Sequence, residues 1–277
     1  MTTLRVTILG CGSSGGVPRS TGDWGACDPH EPKNRRTRGG LLLQQWRGER
    51  AGEGADATVM LIDTPPDLRT QLAQAKPDHL DAVVLSHDHA DQTHGIDDVR
   101  AYFLKRGAPI PAYMDAPTRA LIEPRFGYCF RQSAGYPSIL KLEPDISPLA
   151  QFLIPGPGGD VKITPLDQDH GFSRSLGFRV GPFAYTNDVV AFPKRSFDAL
   201  HGLDLWIVDA LRERPHPTHA HIDRALGWIA ELKPKHAVLT NLNHDVDYAT
   251  LKARLIGLGV GESVEPAYDG WSADLTL

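Results

Sequence analysis

Nine consecutive residues, Ser86-His87-Asp88-His89-Ala90-Asp91-Gln92-Thr93-His94, carry side chains suited to holding a cation. They follow the apolar run Ala82-Val83-Val84-Leu85 and precede Gly95. Residues two apart share a face when the backbone is extended. On a continued strand, His87, His89 and Asp91 would converge on one point, whereas a helix would fan them apart. Imidazole and carboxylate donors suit zinc, and also iron or manganese. The stretch therefore reads as a metal-binding edge at the end of a buried strand.

Further chemistry-bearing residues close other apolar runs. Asp169-His170-Gly171 follows a strand expected over 161–166, and Asn187-Asp188 follows another over 183–186. Asp209 ends the run Leu205-Trp206-Ile207-Val208 and is placed to orient a ligand histidine. His216, His219 and His221 are crowded among prolines. The first two read as exposed loop residues, while His221 opens a helix over 221–232.

The elements that must position these residues follow from periodicity. Strands are expected over 4–9, 40–44, 58–63, 81–85, 111–114, 161–166, 175–180, 183–186, 205–209 and 236–241. Helical spacing marks 67–75, 96–106, 221–232 and 248–258, with a short helix after Pro117. The insert 47–57, rich in Gly and charge, reads as mobile. Residues 123–160 hold many Pro and Gly and read as a substrate-facing insert. Gly10-Cys11-Gly12-Ser13-Ser14-Gly15 matches the letters of a dinucleotide fingerprint, but no helix pattern follows it. Lys33-Asn34-Arg35-Arg36-Thr37-Arg38 is either a solvated charge run or an anion-binding loop. The whole reads as an α/β chain, one domain over 1–277, with two sheets face to face and helices outside.

Bulk composition narrows the partners. A net charge of −5 argues against broad coating of nucleic acid or anionic membrane. Three cysteines, Cys11, Cys27 and Cys129, form no CxxC pair and no disulfide framework, which fits a reducing cytoplasm. No signal-peptide pattern opens the chain, and no apolar run approaches a membrane span.

His87-x-His89-x-Asp91 after a strand, the later His170-Gly171, and Asp188 at a strand end together resemble the metallo-β-lactamase fold. Within it the chain is similar to the PhnP-like phosphodiesterases, which cleave cyclic phosphate esters of ribose. The supporting stretches are Gly10-Cys11-Gly12-Ser13-Ser14-Gly15-Gly16-Val17-Pro18, Asn34-Arg35-Arg36, Thr186-Asn187-Asp188 and Pro266-Ala267-Tyr268-Asp269-Gly270. The resemblance covers nearly the whole chain and implies an αββα sandwich of two mixed sheets. His87, His89 and His170 resemble the three histidines of a first metal site. Asp188 resembles a carboxylate bridging two metals, and Asp91 a ligand of the second. His221 resembles a catalytic histidine near the scissile phosphate.

Two positions depart from the family pattern. Gln92 and Asn241 stand where second-site histidines are expected, and neutral amides are poorer zinc ligands than imidazole. The expectation is one tight divalent site, for zinc or manganese, with a second site weakened or absent. His94 and His244 lie near the substituted positions and are candidates to compensate. His244 also resembles a remnant of a structural zinc cluster, of which Cys27 remains nearby.

The function expected is metal-dependent hydrolysis of phosphodiesters, on a small cyclic phosphate or nucleotide. Asp91 would orient the nucleophile, His221 would protonate the leaving alkoxide, and the basic loop would hold a second anionic group. The alternatives are a thioesterase, or a non-catalytic nucleotide-binding or assembly protein on a decayed hydrolase scaffold. The expected partner is a small phosphorylated molecule, with no membrane and no broad nucleic-acid surface. A homodimer is compatible with this reading.

Overall fold

A computed structural model describes residues 1–48, 56–133 and 135–277. The insert read as mobile falls mainly on 49–55, outside the described residues. The strands are β1 (Thr2–Gly10), β2 (Gly40–Arg47), β3 (Thr58–Ile62), β4 (Ala82–Val84), β5 (Ile110–Tyr113), β6 (Leu140–Leu142) and β7 (Phe152–Ile154). They continue as β8 (Val161–His170), β9 (Ser173–Val180), β10 (Phe183–Thr186), β11 (Leu205–Asp209), β12 (His236–Thr240), β13 (Val264–Pro266) and β14 (Ser272–Thr276). The helices are α1 (Leu68–Ala75), α2 (Ala90–Thr93), α3 (Arg100–Arg106), α4 (Ala116–Phe130), α5 (Lys194–Asp198), α6 (Ile222–Leu232) and α7 (Tyr248–Gly257). No helix among the described residues is long and apolar enough to cross a membrane.

The chain forms two compact units, one of Met1–Leu9, Gly40–Ile163 and Ser272–Leu277, the other of Gly10–Gly39 and Thr164–Trp271. The first unit holds a sheet ordered β14-β1-β2-β3-β4-β5-β6. Strands β3 to β6 run parallel, and helices supply the crossovers that parallel pairing needs. Buried on both faces, β3 and β4 read as continuous apolar runs rather than alternating ones. Their side chains join one core with Leu68, Leu72, Ile96, Val99 and Phe103 from α1 and the α3 region.

The second unit holds the strands β13-β12-β11-β10-β9-β8 in that order. Strands β10 to β13 are parallel, and β8 to β10 are antiparallel. In such sheets the residues just past the carboxyl ends of adjacent parallel strands lie in a row, which is where sites are built. Here that row is Asp188 after β10, Asp209 ending β11 and Asn241 after β12.

Two expectations are corrected. The chain does not stay extended through Asp91: His89 is still extended, but Asp91 lies in the first turn of α2. The hydrogen bonds Gln92 N to His89 O and His94 N to Ala90 O close that turn. The short helix expected after Pro117 runs to Phe130 as α4, into the region read as irregular. Pro124 removes a donor within it, and the backbone kinks at Phe126 (φ −125°, ψ 29°) before continuing.

Helix α7 shows how the second unit ties its loops down. The carboxylate of Asp247, at the N-cap, accepts from Thr250 N (2.8 Å), Thr250 Oγ1 (2.9 Å), Asn34 Nδ2 (2.6 Å) and Asp28 N (3.2 Å). Burial alone would raise its pKa, but these hydrogen bonds outweigh it and bring the group down to about 2. Asp247→Ala is expected to cost about 2 kcal/mol in urea unfolding at pH 7. Because the folded pKa is depressed, the charge contributes stability above the unfolded value near ~3.9 and loses it as pH falls towards about 2. The stability gap between wild type and Asp247→Asn should therefore narrow between pH 4 and pH 2.

Candidate metal centre and its supporting side chains

In the first unit, β4 delivers Ser86 and His87 directly beyond its carboxyl end. The rings of His87 and His89 lie edge to face with centroids 4.5 Å apart. Behind them stands Asp63, fully buried just past β3. Its backbone is left-handed (φ 66°), a conformation that Asp tolerates better than most residues. Asp63 Oδ1 accepts from Ser86 N, and Oδ2 from Ser86 Oγ, each at 2.8 Å. Ser86 Oγ also lies 2.9 Å from His87 Nδ1. A hydroxyl has one proton, so while it donates to an ionised Asp63 it must accept from His87 Nδ1–H. That leaves Nε2 of His87 with its lone pair, the form a metal ligand needs. Burial pushes the Asp63 carboxyl up to about 7 against the two hydrogen bonds from Ser86, and the charge of Asp91 adds to the rise.

The rest of this loop is fastened by its backbone. Arg125 of α4 donates to Asp88 O (2.7 Å) and pairs with the Asp88 carboxylate (2.8 Å). Thr93 Oγ1 donates to His89 O at 2.8 Å. Gly95 cannot carry a side chain, because a Cβ there would stand 2.0 Å from Pro65 O. Gln92 is buried and its amide nitrogen lies 3.4 Å from Asp91 Oδ2. His94 is exposed and turns edge-on to Phe126 instead.

In the second unit, His170, Asp188 and His219 bring their potential ligand atoms within 4.8 Å of one another. His170 ends β8, and a two-residue turn, Gly171-Phe172, leads into β9. Gly171 has φ 75°, and a Cβ there would meet Thr218 Cγ2 at 2.6 Å, so only glycine fits. His170 Nδ1 lies 2.7 Å from Thr218 O, which can only accept, so Nδ1 carries the proton. Asp188 is buried and also left-handed (φ 54°), with Asn187 Nδ2 donating to its Oδ2 at 2.9 Å.

His219 is not the exposed loop residue expected. Its Nδ1 lies 2.9 Å from Asp209 Oδ2 and 3.5 Å from Asp188 Oδ1. Asp209 thus holds a histidine, as its place at a strand end suggested. Asn241 (φ 61°) reaches the same carboxylates, with Nδ2 3.2 Å from Asp209 Oδ1 and 3.5 Å from Asp188 Oδ1. His221, two residues on, is the N-cap of α6 and makes no side-chain cap bond. His244 lies beside Asp23 and Asp245, and its carbonyl accepts from Cys27 Sγ. His219 therefore lies with Asp188 and Asp209, while His244, one of the two residues offered as compensating, pairs with Asp23 and Asp245.

The glycine-rich loop is tied to the chain just past Asn241. Leu242 N donates to Cys11 O (2.9 Å), and Asp269 accepts from Cys11 N and from Thr37 N and Oγ1. The basic loop is largely spent on structure. Arg36 is 1% exposed and donates to Asn243 O, Val246 O and Asn34 Oδ1. Lys33 lies over the rings of Tyr248 and Tyr268, and Arg35 over Trp24. Arg36 cannot hold a substrate anion as well, because its charge is consumed by buried carbonyls.

Sequence reasoning missed Asp63, Ser86 and His219. Asp63 had a signal, an acid closing an apolar strand. His219 had none, since its partners lie distant in sequence. Two imidazoles and a carboxylate, with one imidazole anchored by a carbonyl and the other by a carboxylate, fit a zinc-like cation in donor type and orientation.

Comparison with known proteins agrees with this architecture. Residues 58–241 match the family described as beta-lactamase superfamily domain. A protein named octanoyltransferase from Porphyromonas gingivalis (strain ATCC BAA-308 / W83) is 31% identical over 244 residues, 87% of this chain. The chain spans 46% of that protein, about half its length. A structure described as a new diphosphatase from the PhnP family is 30% identical, covers 99% of this chain and 98% of its own, and has a TM-score of 0.84. YhfI from Bacillus subtilis, a metallo-beta-lactamase fold protein, shares the fold at 20% identity and a TM-score of 0.72, with 99% and 100% coverage. With its two mixed sheets, its flanking helices and this match, the chain belongs to the beta-lactamase superfamily domain family and has the metallo-β-lactamase fold.

Proposed function

We propose that this protein is a metal-dependent hydrolase of phosphodiesters, acting on a small phosphorylated molecule such as a cyclic phosphate or nucleotide. The observation that carries the reading is the 30% identity, over nearly the full length of both chains, to a PhnP-family diphosphatase. The proposed ligands for zinc or manganese are His87, His89, Asp91, His170 and Asp188, and the amides of Gln92 and Asn241 are weaker donors than the imidazoles that the family resemblance leads one to expect. When bound, a divalent cation supplies hydroxide at neutral pH and neutralises charge on the phosphoryl oxygens.

The chain's own residues do the rest. Asp91 orients the attacking water from the first turn of α2. His221, free of capping duty at the start of α6, donates a proton to the leaving oxygen. Asp63 and Ser86 hold the His87 ring in one tautomer. Three buried thiols without disulfides suit a cytoplasmic setting.

A second reading, hydrolysis of acyl thioesters, is favoured by the octanoyltransferase relative, whose name belongs to a protein about twice this length. The test is the purified protein with manganese or zinc, offered bis-p-nitrophenyl phosphate, a 2′,3′-cyclic nucleotide and an octanoyl thioester. Turnover of the phosphate esters, lost with a chelator and regained with metal, is the expected result. Thioester turnover alone would replace this reading, and tight nucleotide binding without turnover would favour a binding protein on the same scaffold.

A further inference from the structure

We propose that His219 is a metal ligand, joining His170 and Asp188 around a divalent cation and standing in for the imidazole that Asn241 replaces. The proposal rests on the metal-dependent reading above and names a side chain that reading does not use. Three observations carry it.

The first is proximity. The ligand atoms of His170, Asp188 and His219 fall within 4.8 Å of one another. Zinc–nitrogen and zinc–oxygen bonds of about 2.0–2.2 Å draw two donors to within roughly 4 Å, so small side-chain rotations complete the set.

The second is orientation. A metal-bound histidine almost always donates its other ring N–H to a carboxylate or a carbonyl. His219 does so to Asp209 (2.9 Å) and His170 to Thr218 O (2.7 Å). The two supports are linked, because Thr218 immediately precedes His219. Asp209 is fully buried, and it also accepts from Val189 N (3.1 Å) and Asn241 Nδ2 (3.2 Å). Its oxygens are thus used to aim an imidazole. For His170 this leaves Nε2 with the lone pair, while the His219 ring is fixed at Nδ1 by Asp209 and by Asn241 Nδ2 at 3.0 Å.

The third is charge. Asp188 and Asp209 are 3% and 0% exposed and face the same imidazole. Two buried carboxylates side by side are costly without a compensating cation. Asn241 turns its amide N–H towards both of them. A neutral donor there orients the carboxylates but cannot ligate through the atoms it presents.

The experiment measures metal binding directly. The purified protein is stripped with chelator and titrated with zinc against a chromophoric competitor, and with cobalt(II) to read the ligand field. His219→Ala and His219→Gln are each expected to weaken binding about 100-fold, and Asp209→Asn about 10-fold. The cobalt absorption bands should shift in the His219 variants and stay unchanged in His221→Ala. Circular dichroism confirms that each variant folds, and His219→Gln keeps the test decisive if the alanine variant does not. Wild-type affinity and an unshifted cobalt spectrum in a folded His219 variant would overturn the proposal while leaving the hydrolase reading intact. A wild-type chain that binds no divalent ion would remove both.

Discussion

If the proposed function holds, His87→Ala is expected to lower bis-p-nitrophenyl phosphate turnover by at least about a thousandfold. A nucleophile generated by a cation needs that cation held and its water activated, and deleting a nitrogen ligand damages both. The side chain is buried and bracketed by Ser86 and His89, so alanine leaves a polar gap that nothing nearby fills. The measurement is turnover of bis-p-nitrophenyl phosphate at saturating manganese, with metal content determined on the same sample. His94→Ala is the matched control, because that ring is exposed and packs on Phe126. It should retain wild-type turnover. If His87→Ala stays within tenfold of wild type, His87 is not a ligand and the proposed site falls.

Asp63→Asn is the second large effect, and its sign follows from proton counting. In the wild type at pH 8 the carboxylate accepts from Ser86, whose hydroxyl accepts from His87 Nδ1–H. An asparagine that turns its amide N–H₂ to Ser86 reverses the chain. The hydroxyl then donates to Nδ1, the ring proton moves to Nε2, and the ligand lone pair is lost. Asparagine also tolerates the left-handed backbone at this position, so folding is preserved (φ 66° at Asp63). Metal affinity should fall about 10–100-fold, and turnover should fall with it. Ser86→Ala in the Asp63→Asn background should add much less than it does alone, since both act through one ring. Full additivity would show that Asp63 supports the fold and not the tautomer.

The strands and the histidine pair were legible in the sequence for a local reason. Apolar runs such as Val83-Val84-Leu85 bury on both faces wherever they sit, and a polar stretch at the end of such a run must emerge at a sheet edge. The turn at Asp91 was less legible. Period-two spacing predicts one face only if the backbone stays extended, and α2 starts one residue earlier. Helix α4 was hidden by Pro124, which looks like a stop but is accommodated by a kink at Phe126.

What the sequence by itself determined is which residues could bind a cation, which strands end in them, and the family those motifs resemble. Only the tertiary structure decided that His219 and not His244 joins Asp188, and that Arg36 is structural. It also decided that Asp63 stands behind His87. The reason is physical. Side-chain type and strand periodicity are written within a few residues. The partners of His219 are set by the order of β10, β11 and β12, which brings Asp188, Asp209 and Asn241 side by side across 53 positions of chain. Hydrogen bonds at such separations depend on sheet register, and register is a property of the folded chain.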